Sequence, residues 1–225
     1  MTDKLKQFIQ DNKNLINENT KDSWEEVYYK IPNEIKGEFT KIILDAGIND
    51  PAEIMGYIPE YYLFKSTIQD YKIPDNITSI GDYAFYHCYS LESIEIPDSV
   101  TSIGNRAFVR CDSLTSIEIP YSVTSIDDSA FSGCDNLTEI VIPDSVTSIG
   151  FRAFENCERL TSVIIPDSVV WIGGCVFSYC YKLKEIQYKG TKKDALTRLK
   201  VRNKRWRAIS FIERVICTDG VIDLT

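Results

Sequence analysis

From Ile73 to Ile186 the apolar residues return in the same phase every 23 residues. Ile80, Ile103, Ile126, Ile149 and Ile172 make one column, and Phe85, Phe108, Phe131, Phe154 and Phe177 a second. Leu91, Leu114, Leu137, Leu160 and Leu183 make a third, and Ile94, Ile117, Ile140, Val163 and Ile186 a fourth. A fixed period of this length marks a solenoid: one coil cannot bury its own apolar face, and stacked coils supply the core together. The Ile-x-Ile triplets alternate as half-buried strands do, so their cores read inward and the residues between them outward. Before the array the spacing turns helical. Leu5, Phe8, Ile9, Asn12, Leu15 and Ile16 share one face, and Ile35, Phe39, Ile42 and Ile43 share another that ends at Gly47.

Smaller residues carry the turns. Pro74, Pro97, Pro120, Pro143 and Pro166 close each apolar strand, where a missing N–H is tolerated. Gly81, Gly104, Gly150 and Gly173 are expected at positive φ, with Asp127 as a tolerable substitute in their column. Ala84, Ala107, Ala130 and Ala153 precede the Phe, where the next coil leaves little room; Val176 breaks that column.

The resulting pattern, Leu-x-x-Ile-x-Ile-Pro-x-x-Val-x-x-Ile-Gly-x-x-Ala-Phe-x-x-Cys, resembles the Treponema-type leucine-rich repeats called BspA-like, over residues 73–187 with partial units on each side. The resemblance implies a curved solenoid with strands on its concave side and a role in adhesion or protein binding. It also implies a link to short, signal-less forms carried by phage and mobile elements. The expected fold class is therefore an α+β solenoid, a leucine-rich repeat of 23-residue period with a helical N-terminal cap and a mixed C-terminal cap. The chain divides into a helical cap at 1–60, a degenerate half-repeat at 61–72, five repeats at 73–187 and a closing unit at 188–225.

Solenoid ends need cover, and both ends offer it. A helix is expected from Ser23 with Glu26 completing a capping box, and a short one from Asp50 with Pro51 at its first position. The segment YIPEYYLFKSTIQDYKIP continues the repeat backward, placing Tyr62 in the Phe column, Ile68 in the Leu column and Tyr71 in the next. At the far end a helix is expected at Thr191, then two apolar runs around an Asp219-Gly220 turn.

Charge narrows the partners. Residues 72–190 carry 8 Lys+Arg against 16 Asp+Glu, whereas residues 191–225 carry 9 against 4. An acidic body excludes nucleic acid along its length, leaving only the basic segment 192–207 for such a role; a solvated surface is the simpler account of that segment. No long apolar run suggests a signal peptide or membrane span, so a soluble, cytoplasmic protein without membrane association is expected. Five of the seven cysteines, Cys88, Cys111, Cys134, Cys157 and Cys180, follow the repeat period and are expected to be a buried row of thiols.

Chemistry is sparse. His87 is the sole histidine, its neighbour Cys88 belongs to the buried row, and no phosphate loop, zincin motif or Cys/His metal spacing occurs. No enzyme activity, cofactor or metal is expected. Cys175 leaves the thiol row and is a candidate exposed thiol. What remains is surface. The outward column Glu95, Glu118, Val141 and Ile164 turns from acidic to aliphatic, Tyr121 replaces an Asp of other units, and Trp171 replaces a Ser. These six are the candidate partner-binding residues. Trp171 is equally suited to covering the junction with the C-terminal unit, and the Tyr83, Tyr86, His87 and Tyr89 cluster is a further contact candidate. The expected function is a non-enzymatic scaffold for a protein partner. The alternative is an acidic intracellular inhibitor, phage-encoded, that blocks a basic nucleic-acid-binding host protein.

Overall fold

The computed structural model describes residues 3–18, 20–45, 51–55, 57–59, 62–63, 67–197 and 211–224. Five helices come first: α1 (Asp3–Asp11), α2 (Lys13–Glu18), α3 (Lys21–Lys30), α4 (Asn33–Asp45) and α5 (Pro51–Met55). The first apolar stripe is thus split into two helices at Asn12, whose side-chain amide donates to the Phe8 carbonyl at 3.0 Å. The expected helix start at Ser23 is corrected to Lys21. Thr20 is the N-cap and exchanges hydrogen bonds with Ser23, because a hydroxyl three residues on serves the box as a Glu would. Gly47 lies outside the described residues. Trp24, Phe39 and Tyr28 form the helices' core, and Tyr28 stacks on Tyr62 at 5.5 Å, joining them to the first coil.

The coils then stack through three backbone seams. One is a parallel sheet of two-residue strands: β2 (Ser79–Ile80), β4 (Ser102–Ile103), β5 (Ser125–Ile126), β7 (Ser148–Ile149) and β9 (Trp171–Ile172). A second is a run of turns at 82–87 and its equivalents, where alternate N–H groups reach forward to the next coil, as from Phe85 to the Ala107 carbonyl at 2.7 Å. The third is the longer strand face. Here β1 (Asp70–Lys72) pairs with β3 (Ser93–Glu95), and β6 (Glu139–Val141), β8 (Ser162–Ile165) and β10 (Glu185–Tyr188) continue to β11 (Arg214–Cys217). The antiparallel strand β12 (Gly220–Asp223) ends that sheet after the expected turn, and α6 (Lys192–Thr197) is capped by the Thr191 hydroxyl, which accepts from the Asp194 N–H. The basic residues 198–207 lie outside the described residues.

Inside, the Phe column is a continuous ring stack. Successive centroids lie 4.8, 5.2, 5.4 and 5.8 Å apart, with planes within 10° of parallel. Such contacts add to the burial of the rings themselves. The thiol row is buried beside it, each Sγ donating to a Phe carbonyl of the preceding coil at 3.1–3.3 Å from Cys111 to Cys180. Cys88 does the same to Leu63. That bond corrects the register of the half-repeat. Leu63, and not Tyr62, stands at the Phe-column backbone position, donating to Ala84 as Phe85 does to Ala107. Tyr71 nevertheless pairs with Ile94 as expected, so the link between them is one residue shorter than in the repeats.

The glycine column is also corrected. Among described residues positive φ occurs at Tyr83, His87 and their equivalents, with Gly133 (φ 74) the one glycine of those columns, and not at Gly81, Gly104, Gly150 or Gly173. Their role is close approach: a Cβ on Gly104 would lie 2.5–2.8 Å from Asp82 and Gly81, and one on Gly150 2.5 Å from the Asp127 and Asp128 backbone. The strained turn residues are held by the forward hydrogen bonds, as when His87 N–H donates to Val109 at 2.7 Å.

Candidate interaction surface

Two adjoining interruptions single out the coil that contains Asp127. Gly104, Gly150 and Gly173 each donate a backbone N–H to the preceding coil at 2.7–2.9 Å; Asp127 makes no such bond, and β4 and β5 register only at Ile103 and Ile126. A Cβ there meets the same crowded backbone and holds the step open. Burial pushes the Asp127 carboxyl above its usual value, opposed by a hydrogen bond from Ser125 and assisted by the charges of Asp82 and Asp128.

On the strand face, Ser116-Ile117-Glu118 belongs to no sheet. Among the described residues, the backbone groups of Ser116 to Ile119 find no hydrogen-bond partner, although Thr138 still donates to Thr115 at 3.3 Å. Like charges gather at the opening. Glu118 would stand laterally beside Glu95 and next to Glu139, and like charges facing each other across strands destabilise a ladder. Three other carboxylates of this face have basic partners, whereas Asp70 accepts from the Ser93 hydroxyl at 2.5 Å. Glu95 lies 3.8 Å from Lys72, Lys189 bonds Asp144 at 2.8 Å, and Arg214 pairs with Glu185.

The result is a groove of about 440 Å³ lined by Ser116 to Ile119, Tyr121, Glu139, Val141 and Pro143. Ile117 and Ile119 are buried beneath it, while Val141 is 54% and Tyr121 73% exposed. Three of the six candidate residues, Glu118, Val141 and Tyr121, therefore converge. Glu95 and Ile164 flank them on the same face, Ile164 being half-buried between Val141 and Gln187. Trp171 is elsewhere, at the edge of the other sheet, 45% exposed and in edge contact with Phe151 at 5.6 Å. Glu139 and Phe151 were missed by the sequence reasoning, although each departs from its column. A second hollow of about 740 Å³, between the helices and the first coil, is lined by Asp22, Glu25, Glu26 and Asp82 with Tyr57; burial, then Glu25, raises the Tyr57 phenol.

The aromatic cluster is assembled as a surface feature. His87 stacks on Tyr86 at 4.0 Å, Tyr89 O–H and His87 Nδ1 share a hydrogen at 2.8 Å, and Arg106 lies 5.5 Å over Tyr83. The Cys88 thiol beside it is turned inward and donates to the Leu63 carbonyl at 2.6 Å. Burial drives the thiols of Cys111, Cys134 and Cys157 well above the ordinary cysteine value, which disfavours the nucleophilic thiolate. Among the described residues no group of three or more His, Cys, Asp or Glu could hold a metal ion, and no helix is long and apolar enough to cross a membrane.

Stacked coils with this strand face and ring column define a leucine-rich repeat solenoid. The chain belongs to the BspA-type leucine-rich repeat family, whose model matches six copies over residues 56–191. It is similar to a leucine-rich cell surface protein from Faecalibacterium prausnitzii, with 37% identity and a TM-score of 0.56 over 65% of this chain and 36% of that one. It is similar also to a leucine-rich repeat protein of T. pallidum, with 32% identity and a TM-score of 0.55 over 58% of this chain and 62% of that one. The chain thus spans less than two thirds of either relative. No curated protein matches it.

Proposed function

We propose that this chain is a non-enzymatic scaffold that binds a protein partner through its strand face, centred on the groove between Glu118 and Val141. Leucine-rich repeat proteins serve generally as protein-interaction scaffolds. The observation carrying the reading here is the local failure of the ladder, which leaves Val141 and Tyr121 exposed above unpaired backbone on an otherwise rigid stack. A preformed surface of this kind loses little conformational freedom on binding. Glu95 and Ile164 form its margins, and Trp171 with Phe151 is left as a separate, secondary contact. The same uncompensated carboxylates favour a second reading, an acidic inhibitor of a basic nucleic-acid-binding protein; a steep loss of binding with salt would distinguish it. A cytoplasmic site of action belongs to the proposal, supported by seven free cysteines.

The test is affinity capture from the native host with quantitative mass spectrometry, comparing the unaltered chain, the double variant Tyr121→Ala/Val141→Glu and the variant Trp171→Ser. Both substituted groove residues are exposed, so the fold, followed by circular dichroism, should be retained. A specific prey lost at least tenfold by the double variant and kept by Trp171→Ser supports the strand face. Prey lost only with Trp171→Ser moves the site to the other sheet and sinks the proposal.

A further inference from the structure

We propose that the strand-face groove is a receptor for an arginine side chain presented on an extended segment of the protein partner. This deepens the strand-face reading and rests on it. The charges are the starting point. On this face Glu95, Asp144 and Glu185 each have a basic neighbour, whereas Asp70, Asp98, Glu118 and Glu139 form no ion pair among the described residues, and of these four it is Glu118 and Glu139 that border the groove. Lys189 is engaged by Asp144 at 2.8 Å and does not neutralise them.

The uncharged walls select the form of the cation. The backbone N–H and carbonyl groups of Ser116 to Ile119 are unpaired and these residues line the hollow, so carbonyl acceptors stand in the same wall as the two carboxylates. A guanidinium offers five N–H donors in a planar fork and serves several acceptors at once, where an ammonium is a compact point charge. Its aliphatic stem fits the exposed Val141, and the plane can stack on the Tyr121 ring as a cation–π partner. Bound there, the cation would also neutralise the like charges of Glu118 and Glu139.

The experiment is a ¹H–¹⁵N NMR titration with three probes, acetyl-Ser-Leu-Arg-Leu-Ser-amide and the same peptide carrying citrulline or Glu in place of Arg. The Arg peptide should shift the amides of Ser116 to Ile119 and of Glu139 to Val141, with the citrulline peptide at least tenfold weaker and the Glu peptide silent. The variant Glu118→Gln/Glu139→Gln should weaken the Arg peptide at least tenfold without altering the amides of β10 and β11, which lie away from the groove. Equal response to Arg and citrulline, shifts centred elsewhere, or silence at millimolar Arg peptide would overturn the proposal. So would concentration-dependent shifts of the groove amides without peptide, which would mean that a second copy of the chain covers them. If the peptides leave the groove unmoved while Tyr121→Ala/Val141→Glu still loses the captured partner, arginine recognition fails and the strand-face reading stands. If both experiments are silent, both fail.

Discussion

Two neighbouring steps of the stack differ in the residue that holds the glycine column. Between the Phe131 and Phe154 coils the glycine column holds Gly150, two residue pairs of β5 and β7 are in register, and the Gly150 N–H reaches Ile126 at 2.7 Å. Between the Phe108 and Phe131 coils the column holds Asp127, one pair remains, and that hydrogen bond is missing. The rings inside do not register the difference, at 5.2 and 5.4 Å with planes 6° apart in both steps. Nor do the turns, since Arg106, Phe108 and Arg110 all donate across the Asp127 step at 2.8–3.0 Å. A solenoid coil is thus held at several corners independently. One corner can yield while the core and the turn seam keep the spacing, so surface can be opened for binding without opening the core.

The largest test removes what both steps share. Phe131→Ala deletes the central ring of the stack and should cost about 3–5 kcal/mol, the usual range for a buried Phe. Because each coil leans only on its neighbours, amide exchange should accelerate on both sides of position 131, read by hydrogen-exchange mass spectrometry alongside thermal unfolding. A loss under about 1 kcal/mol would mean that the rings do not set the spacing. A smaller effect is expected from making the tight step resemble the open one. Gly150→Ala places a Cβ 2.5 Å from backbone atoms of Asp127 and Asp128, which cannot swing aside. The expected cost is about 1–3 kcal/mol, as for other overpacked sites. Exchange at position 150 should quicken while the Phe131 and Phe154 amides, bonded across the turns, stay protected.

The repeated columns made the core and the coil length legible, because burial repeats as faithfully as the letters do. The turn geometry was hidden, since the left-handed positions carry Tyr, Arg, His and Ser as well as Gly133, and composition alone cannot separate a glycine needed for φ from one needed for clearance. The half-repeat slipped because one residue fewer between Leu63 and Tyr71 changes no column's character. The groove was least legible. Ser93-Ile94-Glu95 and Ser116-Ile117-Glu118 are identical triplets, yet the first is a strand and the second is not. What differs is the neighbours across the coil step, Lys72 beside Glu95 but Glu95 and Glu139 beside Glu118, and a single triplet does not contain its neighbours.

The smallest test concerns the charge of the wedge apart from its bulk. Asp127→Asn keeps the Cβ and an oxygen able to accept from Ser125, so the step should stay open and only the ionisation is removed. Burial raises the folded-state value of Asp127 above that of the unfolded chain, so the folded protein binds this proton more tightly. The charge therefore costs stability in full above the raised value, and the cost vanishes below the ordinary aspartate value of about 3.9. Compared with the unaltered chain, the Asn variant should unfold at a higher temperature at pH 7, and the two should converge as the pH falls to about 3. Their difference is the informative quantity, because Asp112, Asp135 and Glu155, also raised by burial, titrate in both proteins and cancel. A gap that persists unchanged to low pH would assign the difference to contacts of the introduced amide, and ionisation of Asp127 would then cost the fold nothing.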